Sequence, residues 1–284
     1  MESLSELLRD VFQPRTCYVL GAGASAPDVP LTSGIWSIAL ESQGLLSSWP
    51  GGPIKSSWLR REVARELGSY GNATLEGWKL VAQTSATLNV LLEQRLARAR
   101  RLKLPQYEVF SLFPKEGAIV SFNWDGLSDR CLQRIKIDVH GRSSARLLTR
   151  TELEEMIEFT QLLDGSDNEM LTSKLVFPGH EASVIRGSTG EAVYRLFKGA
   201  SSIVIIGHRM GTGDYDEEWQ DLLYEATKAK AATIHVVSGG ESHEIADKLS
   251  QRLGRWTIAR ADLTPNAVPR IMSVLPGLKV SHRA

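Results

Sequence analysis

Short apolar runs alternate with amphipathic stretches along this chain, in the order expected of strands joined by helices. The apolar runs predict strands at 16–20, 118–122, 135–139, 174–177, 202–206 and 233–237. The run 202–206, Ser-Ile-Val-Ile-Ile before Gly207, is of the kind buried on both faces of a parallel sheet. Apolar residues at helical spacing predict helices at 3–12, 34–41, 151–163, 191–199, 217–228, 242–253 and 266–274. The first of these carries Leu4, Leu7, Leu8 and Val11 on one face. A turn-rich break, Ser-Ser-Trp-Pro-Gly-Gly-Pro at 47–53, precedes a long helical pattern over 56–102 with Leu75, Trp78, Leu88 and Leu92 among its apolar positions. We read residues 45–110 as a helical insertion within a single domain of residues 1–284. The alternation as a whole predicts an α/β fold: a doubly wound, mostly parallel, Rossmann-like sheet.

Composition narrows the picture further. At 284 residues the chain can bury a substantial core. Lys plus Arg and Asp plus Glu are 33 each, so nothing in the balance of charge advertises a nucleic acid or a membrane surface as a partner. The basic run 95–103 reads as the solvated face of a helix. No apolar stretch approaches the roughly 20 residues of a membrane span. The N-terminus lacks the cationic region and apolar core of a signal peptide, so a soluble, cytoplasmic protein is expected. Cys17 and Cys131 stand far apart in apolar surroundings and predict buried, reduced thiols. His180, His208, His235 and His243 share no metal-ligand spacing, and no metal is expected.

Candidate chemistry gathers just past three of the predicted strands. Gly21-Ala22-Gly23-Ala24-Ser25 follows the first, Ser121-Phe122-Asn123-Trp124-Asp125 ends the second, and His140-Gly141 follows the third. Open α/β sheets bind ligands beyond the carboxyl ends of their strands, so one cleft can hold all three motifs. A glycine loop that can approach phosphate, an amide, a carboxylate and an imidazole together describe a nucleotide-processing site. Gly21-x-Gly23-x-x-Ala26 also fits the general dinucleotide fingerprint. The acid that a dehydrogenase carries about 20 residues further on, at the end of its second strand, falls here at Glu41 inside a helix-like stretch, which argues against hydride transfer. The absence of a Gly-Lys-Ser/Thr loop argues against a Walker-type NTPase.

These three motifs, in this order and with Asn123 and His140 separated by 17 residues, resemble the signatures of the sirtuin superfamily. The stretch Ile205-Ile206-Gly207-His208-Arg209-Met210, with Asp214 downstream, looks like a motif of its bacterial sirtuin-like branch. The resemblance covers about 15–237. Two departures stand out. Sirtuin deacylases carry a four-cysteine zinc module soon after the histidine, whereas 142–171 contains no cysteine. In the fourth motif, Arg209 stands where the family has a small hydroxyl residue.

The resemblance implies NAD as substrate and, with the zinc module gone, NAD hydrolysis before deacylation, in bacterial anti-phage defence. Gly21, Ala22, Gly23 and Ser25 would wrap the pyrophosphate with backbone donors at a helix N-terminus. Asn123 would hydrogen-bond a ribose hydroxyl or a water, and His140 would act as general base. Asp125 would orient the nicotinamide carboxamide or stabilise its own loop. Asp28 would reach toward the nicotinamide end, Gly207 would admit close backbone approach, and Ser238 would lie near the adenosine ribose. A trigger is expected, whether a regulatory protein partner, an infection signal or self-assembly, with the insertion as the docking surface. The alternative is a domain that binds NAD or ADP-ribose without turnover, with deacylation and ADP-ribosyl transfer further behind.

Overall fold

A computed structural model of the chain describes residues 9–25, 105–141, 185–210, 217–230, 232–238, 241–255 and 258–260. Among them, six parallel strands form one sheet in the order β3-β2-β1-β4-β5-β6. The strands are β1 (Thr16–Leu20), β2 (Ala118–Ser121), β3 (Ile135–Asp138), β4 (Ser202–Ile206), β5 (Thr233–Val237) and β6 (Ile258–Arg260). The order turns back between β1 and β4, the point at which a doubly wound sheet opens a crevice. The α/β, doubly wound, Rossmann-like class read from the sequence is therefore the architecture found.

The sheet separates two apolar layers. Successive strand residues point to opposite faces. Cys17 and Val19 of β1, with Ile203, Ile205, Ile234 and Val236, join one core. Helices α2 (Ser188–Gly199), α3 (Glu217–Thr227) and α4 (Ser242–Leu253) close that core. They contribute Val193 and Phe197, Trp219 and Leu223, and Ile245 and Leu249, pairs spaced by four residues so that each lies on one helix face. Tyr18 faces the other way. Its ring stacks on Phe113 and meets Phe110 edge-on, and its hydroxyl donates to the Val11 carbonyl oxygen at 2.6 Å. That second layer is built by the short helix α1 (Pro105–Glu108) and the 3-10 turn Val109–Leu112.

Strands 16–20, 202–206 and 233–237 lie where expected, and α4 keeps the predicted bounds. The second and third strands each end one residue earlier than the apolar run. Their ladder nevertheless continues, because Phe122 N–H donates to the Leu20 carbonyl and Val139 N–H to that of Ser121, both at 2.8 Å. Helix α2 begins three residues before the predicted start, and α3 ends at Thr227, whose hydroxyl donates to the Leu223 carbonyl at 2.7 Å. The pattern did not announce β6 or α1. Of the first predicted helix only residues 9–12 are described, and 9–11 are helical. The helices at 34–41, 151–163 and 266–274, the strand at 174–177 and the insertion up to residue 104 lie outside the described residues.

Candidate functional site

Because all six strands are parallel, their carboxyl ends share one edge, and the motif residues follow those ends directly. Ser121 pairs with Asp138 at the close of β2 and β3. Asn123 and His140 each lie two residues beyond that pair, on neighbouring strand ends. The Gly21–Ser25 loop follows β1 and the Gly207–Met210 turn follows β4, the two strands that flank the switch point.

Those two segments lock together through backbone. Gly21 N–H donates to the Ile206 carbonyl at 2.9 Å, and Gly23 N–H to that of Gly207 at 3.0 Å. A Cβ at Gly21 would fall on the Gly207 carbonyl oxygen and the Cβ of His208. One at Gly207, whose φ is +60°, would strike the Ala24 nitrogen. The loop continues as a three-residue 3-10 turn, Ala22–Ala24, in which Ala24 and Ser25 donate to the carbonyls of Gly21 and Ala22. The backbone donors of Gly21, Gly23 and Ser25 are therefore already bonded within the chain.

Ser25 stands at the centre of a buried polar cluster. Its hydroxyl donates to Asp125 Oδ2 in a short hydrogen bond, and lies 2.6 Å from the Tyr107 hydroxyl. Asn123 Nδ2 donates to Ser25 Oγ at 3.2 Å and reaches the Tyr107 oxygen at 3.5 Å. The second Asp125 oxygen accepts the Leu127 backbone N–H at 2.9 Å, which anchors the turn into Leu127–Arg130. Asp125 thus ties the loop after β2 to the loop after β1. Burial, reinforced by the Asp125 charge, pushes the Tyr107 hydroxyl well above its ordinary range, so it stays protonated and able to donate. Asn123 Oδ1 is buried and has no hydrogen-bond partner among the described residues.

An aromatic group adjoins this cluster. Phe122 stacks on His208 with centroids 4.1 Å apart and meets His140 edge-on at 5.2 Å. It also meets Trp219 of α3 edge-on at 5.1 Å, which joins the site to the main core. Burial lowers His140 to about 4, although a hydrogen bond to the Phe122 backbone favours its protonated form. That bond occupies one ring nitrogen, while Nε2 is buried and unpartnered among the described residues. His208 is lowered to about 3 by burial and by its proximity to His140. Its Nδ1 accepts the Met210 backbone N–H at 3.0 Å, in a turn where Met210 adopts a φ of +48°. Both imidazoles are therefore neutral at pH 7.

Gly207 lies in the turn just described, and Ser238 directly follows β5 and is half-buried. Asp28 lies outside the described residues. The Arg209 guanidinium is exposed and engages Glu241 with two hydrogen bonds, of 2.9 and 2.6 Å. Tyr107 and His208 were not among the predicted site residues. Tyr107 sits in a segment whose apolar pattern reports only packing, and His208 had been noted within the fourth motif and weighed as a metal ligand, without a role at the site. Cys17 and Cys131 are buried and free, each thiol raised to about 12 chiefly by burial. No group of three metal-ligating side chains and no helix long and apolar enough to cross a membrane occurs among the described residues.

No protein-family model and no curated protein matches the chain. Among solved structures it is similar to Sir2 in complex with the inhibitor EX-527, 2'-O-acetyl-ADP-ribose and a deacetylated p53 peptide. The identity is 17% over 97% of this chain and 99% of that one, with a TM-score of 0.46. It is also similar to Sir2Tm bound to a propionylated peptide, at 17% identity over 96% of this chain and 98% of that one, TM-score 0.46. The class of protein defined here rests on the strand order itself: a doubly wound parallel α/β domain with its polar residues gathered at the carboxyl edge.

Proposed function

We propose that this chain binds NAD across the carboxyl edge of the sheet and hydrolyses the nicotinamide–ribose bond, giving nicotinamide and ADP-ribose. The observation that carries the reading is a pair of buried, unpartnered acceptors, Asn123 Oδ1 and His140 Nε2, on neighbouring strand ends. Buried acceptors without donors are costly, and a bound hydroxyl or water relieves that cost. The bond cleaved expels a neutral ring, so no acid is needed. The site must hold the ribose, exclude bulk water and admit one nucleophile. In this reading Asn123 accepts from a ribose hydroxyl or from the attacking water. His140 Nε2 accepts the proton that the water loses, and releases it to solvent afterwards. Asp125 holds the loop that carries Asn123. The Gly21–Ser25 loop, with Gly207 and Ser238, lines the nucleotide's path in this reading, and Asp28, outside the described residues, is the contact proposed for the nicotinamide end.

The setting implied by the sequence resemblance is anti-phage defence. Since constant turnover would exhaust the host's own NAD, activity in this reading is gated by self-assembly or by a partner. A specific activity that rises with protein concentration would support self-assembly, and a flat one would discard it. A second reading, binding of NAD or ADP-ribose without turnover, draws support from the low basicity of His140. One assay bears on both. Purified protein is incubated with NAD, and nicotinamide is measured by chromatography beside Asn123→Ala and His140→Ala. Release by the wild type, reduced at least about a hundredfold in each variant, is expected of a hydrolase. Saturable binding without release points to the binder or to an enzyme awaiting its trigger, and absence of both discards the nucleotide reading.

A further inference from the structure

The buried cluster around Ser25 contains one side chain to which neither the sequence motifs nor the proposed reaction gives a role. Tyr107 belongs to α1, on the face of the sheet opposite α2–α4, and is 2% exposed. Its hydroxyl nevertheless reaches the carboxyl edge, 2.6 Å from Ser25 Oγ. Counting protons assigns the direction of every bond. A serine hydroxyl has a single hydrogen, and here it goes to Asp125 Oδ2. Ser25 Oγ can then only accept, so Tyr107 must be the donor at 2.6 Å and Asn123 Nδ2 the donor at 3.2 Å. The amide nitrogen reaches the tyrosine oxygen as well, at 3.5 Å. Both contacts hold the amide group of Asn123 toward Ser25 and Tyr107. Its carbonyl oxygen is thereby left as the open acceptor of the cluster.

Resting on the NAD-cleaving reading above, we propose that Tyr107 is a positioning residue of this site. Through Ser25 it holds the side-chain amide of Asn123 in the orientation that presents Oδ1 to the substrate. Without the tyrosine hydroxyl, Ser25 Oγ has a free lone pair and the amide loses one of its two anchors. Asn123 can then rotate, and its acceptor is no longer held in place. A phenylalanine preserves the ring against Phe110, so the substitution removes the hydroxyl and little else.

The test is a double-mutant cycle of Tyr107→Phe and Ser25→Ala with two readouts: nicotinamide release, and the side-chain amide NMR signals of Asn123 in ligand-free protein. The expected result is that Tyr107→Phe lowers kcat at least about tenfold while KM moves much less, and shifts the Asn123 signals. In the Ser25→Ala background its effect on both readouts is several-fold smaller, because the link through Ser25 is already gone and only the 3.5 Å contact to the Asn123 amide is left to lose. Wild-type turnover in Tyr107→Phe, losses that simply add, or unmoved Asn123 signals would each overturn the proposal. If the wild type releases no nicotinamide, the turnover readout bears only on the hydrolase reading, and the NMR cycle alone decides whether Tyr107 positions Asn123. If Tyr107→Phe does not fold, Ser25→Ala alone must produce the Asn123 shift.

Discussion

His140 and His208 carry the clearest consequence at the scale of single residues. In the unfolded chain both titrate near the ordinary 6.5, but in the folded chain they remain neutral down to about 4 and about 3. Between those limits the unfolded state binds more protons than the native one. Stability that is complete above pH 6.5 is therefore lost as the pH falls toward 4, at up to about 1.4 kcal/mol per pH unit for each histidine. Urea denaturation midpoints between pH 7.5 and 4.5 measure this. His208→Gln is expected to flatten the slope by about one proton's worth. The local sequence placed His140 at a strand end, but its burial and its bond to the Phe122 backbone come from packing. Its ordinary basicity therefore suggested a stronger base than the structure contains.

Among the elements, the loop after β1 and the turn after β4 meet in close backbone contact. It joins Gly21 to Ile206 and Gly23 to Gly207 by backbone alone. Gly21→Ala or Gly207→Ala forces main chain apart at the switch point and is expected to cost about 2 kcal/mol or more. Gly199, the last residue of α2, has open space around its Cβ position. Alanine there should be neutral, or stabilising by less than about 1 kcal/mol. Paired denaturation curves compare the three variants, and a Gly21→Ala as stable as Gly199→Ala would show that the loop can move aside. Glycines following an apolar run signalled a turn and a close approach in the sequence. That the approaching group includes another stretch of this same backbone was not legible, because the two lie nearly 190 residues apart.

Across the whole molecule, the start of the chain is tied to a strand near its other end. Asp10 accepts or shares a proton with His235 Nε2 at 2.8 Å, beneath β5 and on the face away from α2–α4. Thr16 adds a bond to the Asp10 carbonyl at 2.7 Å. Asp10→Ala removes that carboxylate from a fully buried imidazole and is expected to cost about 1–3 kcal/mol, read from the urea midpoint. The sequence by itself determined where β1 to β5 lie, to within one residue at the ends of β2 and β3, since a run of apolar, often β-branched residues favours strand whatever its neighbours. It also determined which chemistry-bearing residues follow those strands. Only the tertiary structure decided the strand order, the meeting of Tyr107 with Ser25 and of Asp10 with His235, and the neutrality of the two histidines. The physical reason is the range of the forces. Periodicity reports that a side chain will be buried, whereas its hydrogen-bond partner and the water it loses depend on groups 82 or 225 residues away.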